Sequence, residues 1–87
     1  MSSFNISTLP LQGLSLISRK FRGDQRGFLS RVFCSRELKT FGWDIGIAQI
    51  NHTYTRKKGT VRGLHFQYPP NTEKKLITCI RGEVWDI

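Results

Sequence analysis

The amino-acid sequence predicts an all-β protein with one short helix. Short apolar and β-branched runs recur along the chain, each bounded by turn residues, which is the pattern of strands joined by tight connections. Internal repeats and low-complexity stretches are absent. The 87 residues are 38% hydrophobic and 11% aromatic, too apolar for a disordered basic tail and sufficient for one small domain.

A first strand is expected over residues 14–18. Gly23-Asp24-Gln25-Arg26-Gly27 reads as a loop, because two glycines flank polar residues. Residues 28–33 suit a strand with Phe28, Ser30 and Val32 on one side and Leu29, Arg31 and Phe33 on the other. Residues 35–41 suit a short helix that Ser35 can cap and Gly42 can stop. Residues 45–54 are β-rich and alternate loosely, with Gln49, Asn51 and Thr53 sharing a face. Arg56-Lys57-Lys58-Gly59 is a basic turn leading into a strand over 60–67. That strand ends before Tyr68-Pro69-Pro70-Asn71, because prolines cannot continue a central strand. Residues 74–80 and 83–87 pattern as a hairpin around Arg81-Gly82. The last residues, Val84-Trp85-Asp86-Ile87, still follow an apolar strand pattern, so a truncated product or a fragment of a larger domain is expected.

The chain carries 14 Lys+Arg against 6 Asp+Glu, a net charge of +8 that favours an anionic partner. Nucleic acid is one such partner. Arg26-Gly27-Phe28-Leu29-Ser30-Arg31-Val32-Phe33 begins like the stacking strand of an RNA-recognition module, but Ser30 stands where a second stacking aromatic is needed. A nucleic-acid partner is therefore not expected and stays as a minor alternative. No apolar run approaches the roughly 20 residues that span a bilayer. Leu9, Leu11 and Leu14 are interrupted by polar residues and follow no basic residue, so no signal peptide is expected. A soluble, cytoplasmic chain is expected, with no membrane partner. Cys34 and Cys79 form no CxxC pair, and with two histidines they match no zinc-site spacing; Cys79 reads as a small buried apolar residue.

Five blocks stand in order: Asp24-x-Arg26-Gly27-Phe28, Gln49-x-Asn51, Arg62-Gly63-Leu64-His65-Phe66-Gln67-x-Pro69-Pro70, Lys75-Leu76, and Arg81-Gly82-Glu83-Val84-x-Asp86. Together they resemble the N-terminal half of the dTDP-4-dehydrorhamnose 3,5-epimerase family, over residues 21–87. The resemblance implies a cupin-like jelly roll, of which residues 1–87 form the N-terminal part of a single domain. It implies an isomerase acting on a nucleotide-linked 4-keto-6-deoxy sugar in deoxysugar biosynthesis, homodimeric when complete, with neither cofactor nor metal. Hydrogens at C3 and C5 of such a sugar lie alpha to the carbonyl. A base removes one, an enolate forms, and a proton returns to the other face. Histidine suits the base, a cation or hydrogen-bond donor suits the enolate oxygen, and Arg or Lys suits the diphosphate.

Carried over by position, His65 matches the catalytic base and Lys75 the lysine beside the sugar. Arg62 and Arg26 match ligand-contacting arginines, and Gln49 and Asn51 match a polar pair that touches the nucleotide. Taken alone, His65 suits a structural histidine, and Lys75 and Arg26 suit solvated surface charges; the common register of five blocks favours the ligand site. His52 reads as structural or surface. Arg31 stands where the family usually has a glutamate. His65-Phe66-Gln67 replaces the His-x-His of metal-binding cupins, so a metal site lacks ligands. The family's general acid, a tyrosine, the carboxylate that orients the histidine and a second histidine belong to its C-terminal half. A non-catalytic chain that keeps an anion cradle of Arg26, Arg62 and Lys75 is the competing reading. Arg62 and His65 are three residues apart, so a regular strand would point them to opposite faces; Gly63 is the residue able to break that regularity.

Overall fold

The computed structural model describes residues 2–87 and divides the chain into two compact units that meet at Gly46 and Ile47. In the first, β1 (Phe4–Thr8) pairs antiparallel with β2 (Ser15–Arg19), with Phe4 opposite Arg19 and Ile6 opposite Ile17. Their connection is closed by Leu9 N–H donating to the Leu14 carbonyl at 3.3 Å and by Gly13 at φ +84°. β1 lies outside the strands expected from the sequence. It holds two apolar residues at period two, Phe4 buried and Ile6 half-buried, with Asn5 and Ser7 exposed between them. So short an alternation carries little signal until its partner strand is known.

β3 (Phe21–Asp24) and β4 (Gly27–Ser30) form a second antiparallel pair, with Asp24 opposite Gly27. The expected five-residue loop is therefore tighter: Gln25 and Arg26 alone make the turn. Asp24 Oδ1 accepts the Arg26 backbone N–H at 2.9 Å, a side-chain mimic of a backbone turn bond. Gly23 is required by space, since a Cβ there would stand 2.9 Å from the Gly27 carbonyl oxygen. Phe21 and Phe28 meet edge-on across the pair at 4.9 Å, and the Arg19 guanidinium lies over the Phe21 ring. The strand expected to reach residue 33 ends at Ser30.

Helix α1 (Ser35–Lys39) is the expected short helix. Its N-cap is Cys34, in extended conformation and without a side-chain cap bond, so Ser35 is the first helical residue rather than the cap. Gly42 stops it as the sequence predicts. Gly42, at φ +105°, donates to the Lys39 carbonyl, and Trp43 N–H donates to that of Leu38 at 3.0 Å, the paired bonds of a glycine C-terminal motif. Leu38 and Phe4, 2% and 4% exposed, are the buried apolar side chains of this unit. Ser3 N–H donates to Glu37 Oε1 at 2.6 Å and ties the chain just before β1 to the helix. Phe33 packs edge-on to Trp43 at 6.2 Å.

The second unit carries no helix or strand among its described residues. The strands expected over 45–54, 60–67, 74–80 and 83–87 are not formed. Alternation marks which face of a strand would be buried, but a strand exists only with a neighbour on its ladder, and this unit pairs none of these segments. Its backbone bonds close turns instead: Thr60 N–H to Lys57, helped by Gly59 at φ +84°, and Asn71 N–H to Tyr68 at 2.9 Å. Its apolar side chains face solvent, with Val61 89% and Trp85 95% exposed, while Leu76 is half-buried. Cys79 is exposed rather than buried, its thiol beside the Arg81 and Gly82 carbonyls. Among the described residues, no helix is long and apolar enough to cross a membrane.

Candidate functional site

The second unit brings His65 and Lys75 to one open groove of about 440 Å³, lined also by Leu64, Phe66, Gln67 and Glu73. Two local features shape it. Gly63 sits at φ +123°, a conformation that L side chains rarely adopt, and it breaks the extended run just before His65. A Cβ at Gly63 would stand 3.9 Å from both His65 N and Nδ1, so the ring folds back over the glycine. Phe66 and Tyr68 then pack edge-on at 5.2 Å. With its amide oriented to satisfy its neighbours, Gln67 donates to Glu73 Oε1 at 3.1 Å and to the Asn71 carbonyl, joining the two walls. The groove thus presents an imidazole, an ammonium, a carboxylate and an amide to solvent. That set can take up and release a proton beside a positive charge.

Arg62 is not among the groove's lining residues. Its guanidinium turns back along the chain, Nε donating to Thr55 Oγ1 at 3.2 Å and Nη2 to the Tyr54 carbonyl at 3.3 Å. Gln49 and Asn51 are exposed and also lie outside that lining, as does the exposed His52. Spacing did not single out Glu73 or Thr55, and Gln67 appeared only as a member of a motif. Their partners lie four to seven residues away around turns, in segments that form neither helix nor strand, so a periodic pattern does not mark them.

Arg26, in the first unit, lies at the tip of the β3–β4 turn. It grips Asp24 through Nε and Nη2, the shortest contact being 2.7 Å, with both side chains largely exposed. The Arg26 guanidinium holds the Asp24 carboxyl below the usual carboxylate range, and Asp24 in turn raises the Arg26 pKa. Arg31 donates to Ser3 Oγ at 3.2 Å and to Glu37 Oε2 at 3.4 Å. Glu37 lies below its usual range chiefly because Ser3 N–H donates to it; burial opposes this and Arg31 adds to it. Among the described residues, no three His, Cys, Asp or Glu side chains gather as a metal-holding group.

Residues 8–87 match the family described as dTDP-4-dehydrorhamnose 3,5-epimerase. The chain belongs to that family. It is 38% identical over 80 residues to a dTDP-4-dehydrorhamnose 3,5-epimerase of Sinorhizobium fredii, covering 92% of this chain and 41% of that protein. A protein of the same name from Streptomyces griseus is 35% identical, covering 91% of this chain and 40% of its own length. A dTDP-4-dehydrorhamnose 3-epimerase of Streptomyces niveus is 35% identical, over 91% of this chain and 38% of its own length. The chain thus spans about two fifths of these relatives. No solved structure matches it. Within this dTDP-4-dehydrorhamnose 3,5-epimerase family member, Leu64 to Gln67 form one wall of the groove and Glu73 and Lys75 the other.

Proposed function

We propose that the chain is part of a dTDP-4-dehydrorhamnose 3,5-epimerase, with its proton-transfer chemistry at the His65–Lys75 groove. The observation that carries this reading is that His65 and Lys75, ten residues apart in a family-matched segment, line the same groove. As general base, His65 removes the proton at C3 or C5 of the 4-keto sugar. The electron pair of the broken C–H bond passes into the C4 carbonyl, and the Lys75 ammonium stabilises the resulting enolate oxygen. Reprotonation from the opposite face restores the carbonyl and inverts the carbon. One proton leaves and one returns, so no oxidant or reductant enters. The resemblance assigns the returning proton to a tyrosine in the family's C-terminal half.

Arg62, Arg26, Gln49 and Asn51 are the proposed nucleotide-sugar contacts, the arginines for the diphosphate. For Arg26 this requires a phosphate to compete with Asp24, which already occupies its Nε and Nη2 donors. The proposed architecture is a cupin-like jelly roll in which residues 1–87 are the N-terminal part of one domain, homodimeric when complete and working in the cytoplasm. A second reading is favoured by one observation: Glu73, the carboxylate in the groove lining, accepts from Gln67 rather than from His65. Without an orienting partner an imidazole loses tautomer control, and the chain alone then binds a nucleotide sugar without turning it over.

Joining residues 1–87 to the remaining part of the Sinorhizobium fredii relative gives the test. That chimera should incorporate solvent deuterium into the 4-keto sugar, and His65→Ala should abolish the uptake. Uptake at C3 alone would align the chain with the 3-epimerase relative. Exchange at an unchanged rate in His65→Ala would remove His65 as the base.

A further inference from the structure

We propose that Thr55 is a positioning residue for Arg62, setting its guanidinium so that the free edge meets the diphosphate of a nucleotide sugar. This rests on the reading of Arg62 as a diphosphate ligand and adds a residue that the family motifs do not contain. A guanidinium has two edges suited to bidentate recognition, one formed by Nε and one Nη, the other by the two Nη groups. In Arg62 the first edge is occupied: Nε donates to Thr55 Oγ1 at 3.2 Å and Nη2 to the Tyr54 carbonyl at 3.3 Å. The outer edge, with Nη1, meets no acceptor among the described residues and points away from those two anchors.

The comparison with Arg26 isolates what is particular about this arrangement. Arg26 uses the same inner edge, but its holder is the Asp24 carboxylate, which neutralises it. Arg62 is held by a hydroxyl and a carbonyl, both neutral, so it is oriented without losing charge. The surrounding sequence keeps it so. Between Asp44 and Glu73 the chain has no acidic residue, while Arg56, Lys57 and Lys58 occupy the loop that Arg62 closes. That loop is itself fixed at its tip, where Thr60 donates through both its N–H and its hydroxyl to the Lys57 carbonyl. An oriented, unneutralised guanidinium beside other cations fits a phosphate-bearing ligand.

The test titrates dTDP into the 87-residue chain and follows binding by calorimetry and the Arg62 Nε–H resonance by NMR. Thr55→Val keeps the shape and removes the acceptor. It should weaken dTDP binding about 3- to 10-fold, as expected for one hydrogen bond, and collapse the distinct Nε–H signal. Thr55→Ser should restore both. In an Arg62→Ala background, Thr55→Val should have no further effect, because its action passes through the arginine. A loss of equal size in that background would overturn the positioning role and leave Arg62 as a ligand. Wild-type affinity in Thr55→Val would do the same. Failure of dTDP to bind the wild-type chain, or equal binding by Arg62→Ala, would overturn the diphosphate reading and the inference with it.

Discussion

In residues 2–46 each strand finds its partner close by in sequence: a six-residue connection joins β1 to β2, and two residues join β3 to β4. Side chains reinforce these pairs, through Phe21 against Phe28 and through Glu37, which collects both Ser3 N–H and Arg31. Residues 47–87 hold comparable apolar alternation and the candidate proton-transfer groups, yet pair none of their segments. The difference is one of contact range. A hairpin meets its ladder after closing a short loop, whereas a segment with no complementary strand nearby in sequence forms none. On the proposed jelly-roll architecture, the region bearing the candidate chemistry takes its strand neighbours from distant parts of the chain.

The largest test of this contrast compares a buried side chain with an exposed one. Leu38→Ala should destabilise the first unit by about 2–5 kcal/mol, enough to remove protection of the β1–β2 amides. Val61→Ala, at a position 89% exposed, should change stability by no more than about 0.5 kcal/mol. A measurable loss from Val61→Ala in the isolated chain would mean that the second unit closes a core of its own.

A smaller effect sharpens the account of the β3–β4 turn. Gly23→Ala places a methyl 2.9 Å from the Gly27 carbonyl and 3.3 Å from Phe28 Cβ, so the pair must open at a cost of about 1–3 kcal/mol. Gly46→Ala meets nothing within 4 Å and should be neutral. Loss of the cross-strand signals between Arg22 and Leu29 in the first variant, and their retention in the second, is the expected NMR result.

The pH dependence follows from Glu37, whose pKa in the folded chain is depressed, mainly by the Ser3 N–H. A depressed carboxylate stabilises the fold above its ordinary pKa of about 4.3 and loses that contribution as pH falls through the folded value. Thermal melts monitored on β1 should therefore weaken below about pH 4, and Glu37→Gln should flatten that decline. The smallest effect belongs to Asp24→Asn. The ion pair with Arg26 is exposed and screened by solvent, so its removal should leave the melting temperature nearly unchanged and the β3–β4 pair intact by NMR.

The sequence was legible where a single residue type enforces a local geometry. Gly42 announced the end of α1 and Gly63 the break before His65, because each backbone conformation demands glycine. The Arg-Gly-Leu-His block and Lys75 pointed to two residues that share a groove. Legibility failed where a partner decides the outcome. β1 went unseen because Phe4 and Ile6 gain meaning only opposite Arg19 and Ile17. The strands expected after residue 44 are absent because apolar alternation names a face without supplying a neighbour. The Ser35 cap gave way to Cys34, one residue earlier, where the backbone is already extended. Thr55 and Glu73 were invisible because they act around turns on Arg62 and Gln67.

The measurement closest to the central contrast is residue-resolved amide hydrogen exchange, run on the 87-residue chain and on its chimera with the Sinorhizobium fredii remainder. In the chain alone, amides of β1 to β4 and α1 should be protected, while those of 60–67 and 74–87, which pair on no ladder, exchange many times faster. In the chimera those two segments should gain protection together, as ladders supplied by the added residues. Strand-like protection of 60–67 and 74–87 in the 87-residue chain alone would contradict the account, because it would mean that the second unit builds its own sheet.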